Sequence, residues 1–435
     1  MASIVGRLKK RFARSHFVVS GFKSLALVGV LWGAGIANSQ EVTIPPLPGS
    51  VVPDAAIPLA EPGFLDKLLE GPRPEPRAWA SVDYLLWFTQ SAPMPPMLTT
   101  GPMSQMGPSS RPGVLGNPGT QTLIGGTMGF VPASGVRVAG GLWMDNEQQF
   151  GIEGIYLLLP ERSNAYTYSG SGEIGSAPLS IPFFNAQIGQ PDSTGVALPG
   201  SFAGTATLQG LTTFQTAEVN MLHRIGVLKN FSIDALLGYR WGLLDEVMQF
   251  TTNSSNVPGN KMDVFQTTDR FHTQNNLNAG QIGFKFNQDY GRFALGGVVK
   301  VAMGSMVEVT KINGATYTNF FTPTQIQAFP GGYFAQPTNE GYHRENRFAV
   351  MPELGLNGSV RLLEKLKLNI GYNFLFLSEV ARPGDQISST INPSQSPSFT
   401  STPSTTLIGQ AAPLFTPISS QYYAHGLNFG LELVW

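Results

Sequence analysis

The sequence predicts an all-β chain: a single up-and-down antiparallel transmembrane β-barrel of about ten strands, with eight to twelve allowed. Three observations carry that expectation. Charged residues are only 13% of the 435, whereas Gly (50) and aromatics (11%) are plentiful, a balance suited to a sheet that meets lipid. Strict alternation of apolar and polar residues recurs along the chain. The connections between the alternating segments are long and short by turns.

The clearest alternation lies in residues 347–377. Leu366, Leu368, Ile370, Tyr372, Phe374 and Phe376 fall on one face, and Lys365, Lys367, Asn369, Gly371 and Asn373 on the other. Phe348, Val350, Leu354, Leu356 and Val360 alternate in the same way with Met351, Glu353, Asn357, Ser359 and Arg361. A period of two means a sheet with one apolar and one polar face.

In chain order the predicted strands are residues 77–88, 135–144, 149–159, 212–224, 231–251, 273–286, 292–313, the two of the hairpin above, and 421–435. Breaks at Gly242 and Gly304 would raise ten to twelve. The intervening segments 89–133, 160–210, 314–344 and 378–420 are rich in Pro, Gly, Ser and Met and, with a further one between residues 251 and 273, are expected to be five long loops. Segments around 145–148, 226–229, 287–291 and 362–364 are expected to be tight turns. Short turns at one end and long loops at the other are the pattern of an outer-membrane barrel, with the turns periplasmic and the loops extracellular. An even strand number places both termini on the periplasmic side.

Residues 1–39 have the layout of a cleaved signal peptide. Arg7, Lys9, Lys10, Arg11 and Arg14 precede an apolar run from Leu25 to Ile36 and the small residues Ala37-Asn38-Ser39. Residues 40–76 carry nine prolines and are expected to form an extended periplasmic segment. Residues 77–435 form the barrel.

On the polar faces stand Asp83, Arg137, Glu153, Glu218, Asp234, Arg240, Lys285, Lys300, Glu353, Lys367 and Glu432. They are expected to face the interior, since a charge against lipid costs about 2–4 kcal/mol. Two readings follow. The charges line an open pore and set its selectivity, or they pair with one another and close a narrow barrel, since ten strands enclose little more room than eight. In the last strand Tyr423, Leu427, Phe429, Leu431, Leu433 and Trp435 share a face, a row suited to recognition by barrel assembly machinery. Tyr422, Tyr423, His425 and Trp435 are expected to form an aromatic girdle at the lipid interfaces.

Enzyme chemistry finds no foothold. No nucleophile elbow, zinc-protease motif or phosphate loop is present, and the absence of Cys removes thiolate chemistry. No cofactor is expected, and a net charge of −1 gives no reason to expect nucleic acid. Asp263, Asp269, Asp289 and Glu340 are expected to be solvated loop carboxylates. Met94, Met97, Met103 and Met106 belong to a flexible loop rather than a thioether metal site.

Several segments resemble a known family: WASVDYLLWFTQSAPMPPMLTTG (79–101), GVLGNPGTQTLIGG (113–126), GIEGIYLLLPERS (151–163), LLGYRWGLLDE (236–246), FAVMPELGLNGSV (348–360), GYNFLFLSEVARPGDQI (371–387) and HGLNFGLEL (425–433). Together they are similar to the planctomycete "putative beta-barrel porins" of the seventh numbered class. The resemblance implies an outer-membrane barrel of a Gram-negative-type envelope, and a porin by the family's name. It brings no catalytic or binding residues. Its most specific element is Arg382-Pro383-Gly384-Asp385-Gln386, expected to fold the last long loop back over the barrel mouth through Asp385 or Arg382. Ser388 departs from the acidic residue expected there. The function expected is passive diffusion of small hydrophilic solutes or ions. The alternative is a closed structural or surface-interaction barrel acting through its outer loops.

Overall fold

The computed structural model describes residues 77–106, 111–256, 264–319, 321–322, 325–400 and 405–435. The expected signal peptide and Pro-rich segment lie outside the described residues, as does Asp263. The described residues hold sixteen strands, β1 (Ala78–Thr89), β2 (Ala92–Thr100), β3 (Gln121–Met128), β4 (Ala133–Trp143), β5 (Phe150–Gly170), β6 (Leu179–Asn185), β7 (Gln190–Ala197), β8 (Phe202–Leu228), β9 (Phe231–Asn256), β10 (Phe265–Asp289), β11 (Phe293–Thr318), β12 (Gln327–Pro330), β13 (Gly341–Leu363), β14 (Leu366–Ala381), β15 (Thr390–Ile391) and β16 (Ser419–Val434). Only short 3₁₀ turns accompany them.

Ten of these strands follow one another round a ring: β1, β4, β5, β8, β9, β10, β11, β13, β14 and β16. Every pairing is antiparallel, each strand joins the next ring strand along the chain, and β16 returns to β1. These are the ten strands that alternation predicts. Neither Gly242 nor Gly304 interrupts its strand, because Gly242 stays in register with Thr216 and Leu277, and Gly304 with Ala279 and Ala349. The short connections lie at one end of the ring. On β9 Leu237 and Tyr239 point outward and are exposed, while Leu236, Arg240 and Leu244 point in and are buried.

The strand total exceeds the expectation because the long connections are not loops throughout. β15, β6, β2 and β3 form a second sheet, with β7 on β6. Two of the four methionines expected in a flexible loop are instead fixed, Met94 and Met97 being buried in β2.

Ring strands are also longer than expected. β5 continues past Pro160 to Gly170 by shifting register between Leu159 and Arg162, which places the proline at a bulge where its missing N–H costs nothing. β8 runs for 27 residues, far more than the roughly ten that cross an apolar band about 25 Å tall. Pairing is incomplete at this end. β4 stays with β5 only as far as Leu158, and β13 stays with β14 only as far as Glu353. Beyond those points β5, β8, β9, β10, β11 and β13 continue as a curved wall. The second sheet packs into its hollow through Met97, Leu98, Ile124, Ile181 and Phe183 against Leu208, Met248, Phe250, Phe271 and Ile312.

Candidate functional site

The interior of the ring is layered. Nearest the short turns lies a polar chamber of about 260 Å³. Ten of the eleven charges predicted to face inward line it: Asp83, Arg137, Glu153, Glu218, Asp234, Arg240, Lys285, Lys300, Glu353 and Glu432. Lys367 lines an adjoining space of about 190 Å³, together with Glu432, Arg224 and Arg361. Alternation brings these side chains in from ring strands far apart in sequence.

Each of the eleven predicted charges has a partner. At the centre, Arg240 reaches Glu218 at 3.2 Å and Glu353 at 2.6 Å, while Lys300 reaches the same two carboxylates at 2.8 and 3.3 Å. Two cations shared between two carboxylates make a neutral square. All four side chains are nearly inaccessible, so the attraction between them is weakly screened. Around the square, Arg137 pairs with Asp83 at 2.8 Å, Arg224 with Asp234 at 2.9 Å, and Lys367 with Glu432 at 2.9 Å, and Lys285 contacts Glu153. Amides knit the pairs together. Gln281 donates to Glu218 at 2.8 Å, Asn373 donates to Glu353 at 3.3 Å, and Arg137 donates to Asn373 at 3.2 Å.

Above the chamber the interior turns apolar. Leu85 and Trp87 (β1), Ala133 (β4), Leu157 and Leu159 (β5), Phe214 (β8), Leu244 (β9), Leu277 and Ala279 (β10), Ala302 and Met306 (β11), Ala349 and Met351 (β13), Leu375 and Leu377 (β14), and Tyr422 and Ala424 (β16) form one buried cluster. None of these residues is more than 4% exposed, and every strand of the ring contributes to the layer. Trp87 joins it to the polar layer, its indole N–H donating to Asn428 Oδ1 at 2.8 Å. The second sheet lies on the far side.

Tyr422 corrects an expectation. It is fully buried, 5.5 Å from the Phe214 ring and under the Arg382 guanidinium at 5.4 Å. Successive residues of a strand face opposite ways, so Tyr422 cannot share the outward face of Tyr423. Tyr423, His425 and Trp435 do lie on that face. The Tyr372 hydroxyl bonds His425 Nδ1 at 2.8 Å, and the Phe88 ring stacks 5.8 Å from the imidazole.

The Arg382–Gln386 segment closes the far end through Arg382, not Asp385. Arg382 has no exposed surface, and its Nη2 and Nε both donate to Glu246 on β9, the former at 3.0 Å. Pro383 opens a 3₁₀ turn, and Gln386 Nε2 donates to the Ile418 carbonyl at 2.7 Å. Gly384 packs on the second sheet so closely that a Cβ would sit 1.8 Å from the Pro93 carbonyl oxygen.

Asp269 is also not the solvated carboxylate expected. It is fully buried and accepts the backbone N–H groups of Tyr333, Phe334 and Ala335 at 3.1, 2.9 and 2.7 Å. It lies in the part of β10 whose outward neighbours, Thr268 and Arg270, are polar, well away from the outward apolar residues Ile282 and Phe284. Glu340 accepts from Gly314 N at 2.8 Å and Asp289 from Gly291 N at 2.5 Å, so these carboxylates hold backbone. Three inward charges outside the predicted set, Arg224, Glu246 and Glu308, share the strand parity of Glu218, Arg240 and Lys300. The alternation that found the others marks them too.

A family model described as "Putative beta barrel porin-7 (BBP7)" matches residues 79–435. No curated protein sequence matches the chain. Among solved structures, the chain is similar to the outer membrane protease OmpT from Escherichia coli, with 10% identity, 82% of this chain and 96% of that chain covered, and a TM-score of 0.40. It is similar to a Pseudomonas aeruginosa FadL homologue at 10% identity, with 82% and 89% covered and a TM-score of 0.19. The TodX deltaS2S3 mutant monoaromatic hydrocarbon channel matches at 8% identity, with 84% and 93% covered and a TM-score of 0.19.

Proposed function

The chain belongs to the beta barrel porin-7 family, and from its interior we propose a sealed outer-membrane barrel that carries a folded head at the cell surface. The single observation behind this reading is the apolar layer to which all ten ring strands contribute buried side chains. A hydrated solute crossing that layer would give up most of its water for little more than the Thr216 and Tyr422 hydroxyls. The eleven predicted charges below the layer all lie in ion pairs, so an ion entering the chamber competes with a partner already in place at each of them. The second sheet and the Arg382–Glu246 pair back the layer from the other side.

In this arrangement the short turns are periplasmic and the apolar outward rows cross the membrane. The long strand extensions, with the second sheet in their hollow, stand outside. The barrel is an anchor with no enzymatic role, and the head is its working surface. Passive diffusion, the role the family's name suggests, would require the apolar layer and the head to move aside together.

Swelling of liposomes in isotonic small sugars tests the proposal. Liposomes holding the full-length protein, its insertion verified by protease protection, should swell no faster than empty ones. Swelling that scales inversely with sugar size would establish a pore and overturn the reading.

A further inference from the structure

On the outer wall, beyond the apolar rows, cations gather in one sector. Antiparallel register runs Ser163, Leu211, Val247, His272, Lys311 and Tyr342 in one row across β5, β8, β9, β10, β11 and β13. The next row outward runs Ala165, Gln209, Gln249, Arg270 and Asn313. In the row toward the apolar band, Arg344 lies opposite Val309. The outward positions of β5 and β8 in the first two rows are thus uncharged, and Glu161 stands exposed at the β5 bulge in the third, separated from Arg344 by β8, β9, β10 and β11. By contrast, β10, β11 and β13 present Arg270, His272, Lys311 and Arg344.

The one acid on the outward face of β9, β10, β11 and β13 in this sector is Asp245, which attracts both His272 and, at longer range, Lys311. It accepts from Gln274 Nε2 at 2.7 Å and lies 2.9 Å from His272 Nε2. Arg270 bonds only the neutral Gln249, at 3.2 Å, and Lys311 lies 6.0 Å from the Tyr342 ring centroid. Among the described residues no carboxylate lies within ion-pair distance of Arg270, Lys311 or Arg344. Glu308 and Glu345 alternate to the other face of their strands.

Height decides what such cations can meet. On β13 the outward residues Phe348, Leu354 and Leu356 are 67%, 52% and 73% exposed. Arg344 stands four residues beyond Phe348, a rise of roughly 10 Å at the usual strand tilt. That is the level of lipid headgroups when acyl chains lie on the apolar row.

We propose that Arg270, Lys311 and Arg344, with His272 beside them, bind the phosphate groups of an anionic lipid whose acyl chains pack on the apolar residues of β11 and β13. Guanidinium forks suit phosphate oxygens, Lys311 supplies a point charge, and Tyr342 borders the site with an exposed ring. The proposal rests on the barrel crossing a membrane with its long-loop end outward; it does not depend on the interior being sealed.

The test is equilibrium binding of diphosphorylated lipid A to the full-length protein in detergent, with its dephosphorylated form and inorganic phosphate as separate probes. The phosphorylated lipid should bind about tenfold more tightly than the dephosphorylated one, and the Lys311→Ala/Arg344→Ala variant should lose that preference. A Lys229→Ala/Arg292→Ala variant at the short-turn end should keep it. Equal binding of the two lipids, or a preference unchanged in Lys311→Ala/Arg344→Ala, overturns the site. Millimolar inorganic phosphate displacing the lipid completely would assign the cations to free phosphate and overturn the lipid. Each sample is checked for a heat-dependent shift in gel mobility. Loss of that shift in the unmodified protein strikes at the barrel reading; a normal shift without lipid preference strikes only at the site.

Discussion

Single residues hold the head to the wall, and Arg382 is the chief of them. Its guanidinium and Glu246 are both buried, so removing one leaves the other charged and unpaired. Arg382→Ala should lower stability by about 3–5 kcal/mol, whereas Arg382→Met with Glu246→Leu, which removes both charges and keeps volume, should cost far less. Urea titration of the gel-mobility shift measures both. Equal losses in the two variants would mean that packing, not charge pairing, is what Arg382 supplies. Asp269 is tunable. Burial pushes its carboxyl up to about 7, against three N–H groups that favour the ionised form. Its folded value lies above its unfolded value, so the folded protein binds the proton more tightly. Stability from this group is therefore greatest below about pH 4 and falls as pH rises to about 7. Asp269→Asn, which does not titrate, should lack that fall. Parallel pH profiles of the two melting temperatures would contradict the assignment.

At the scale of elements, what alternation reveals depends on what each face meets. In the lower half of β8, Val219 and Met221 point outward and Glu218 and Asn220 inward. In its upper half the apolar side chains are Ala206 and Leu208, buried against the second sheet, while Thr205 and Thr207 face out. The apolar face thus changes parity along one strand. A rule that expects one apolar face per strand stops at the change, which is why β8 was legible from residue 212 but its first ten residues were not. β5 hides its upper half similarly, behind Pro160 and a register shift. The parity change has a consequence for substitution. Val219→Arg, on the outward row, should oppose membrane insertion at about 2–4 kcal/mol. Leu208→Asp should leave insertion intact and expose the head to protease. Limited proteolysis of both variants in liposomes distinguishes them; an unchanged head in Leu208→Asp would show that the second sheet docks by other contacts.

For the whole molecule, the ring and its inward charges were legible because each follows from a period of two. The structure has a ring of ten antiparallel strands among sixteen, and Arg240, Glu218, Lys300 and Glu353 are buried in it. Closure by paired charges was one of the two readings the alternation left open, but the apolar layer was not legible. It comes from residues such as Leu85, Ala279, Ala349 and Leu375, which are small or apolar on the face where only polar residues were sought, and which meet only when the ring brings ten strands together. The second sheet was hidden for a related reason. Its strands are short, and β2 contains three prolines, so their pairing depends on the hollow wall that receives them.

Single-channel conductance in a planar bilayer tests the sealed barrel most directly, using full-length protein whose insertion is confirmed by protease protection. The unmodified protein should leave the membrane silent, and Arg240→Ala, which alters the chamber but not the apolar layer, should leave it silent too. Steady conductance steps from the unmodified protein, with an ion selectivity that shifts in Arg240→Ala, would contradict the account and make the charged chamber part of an open path.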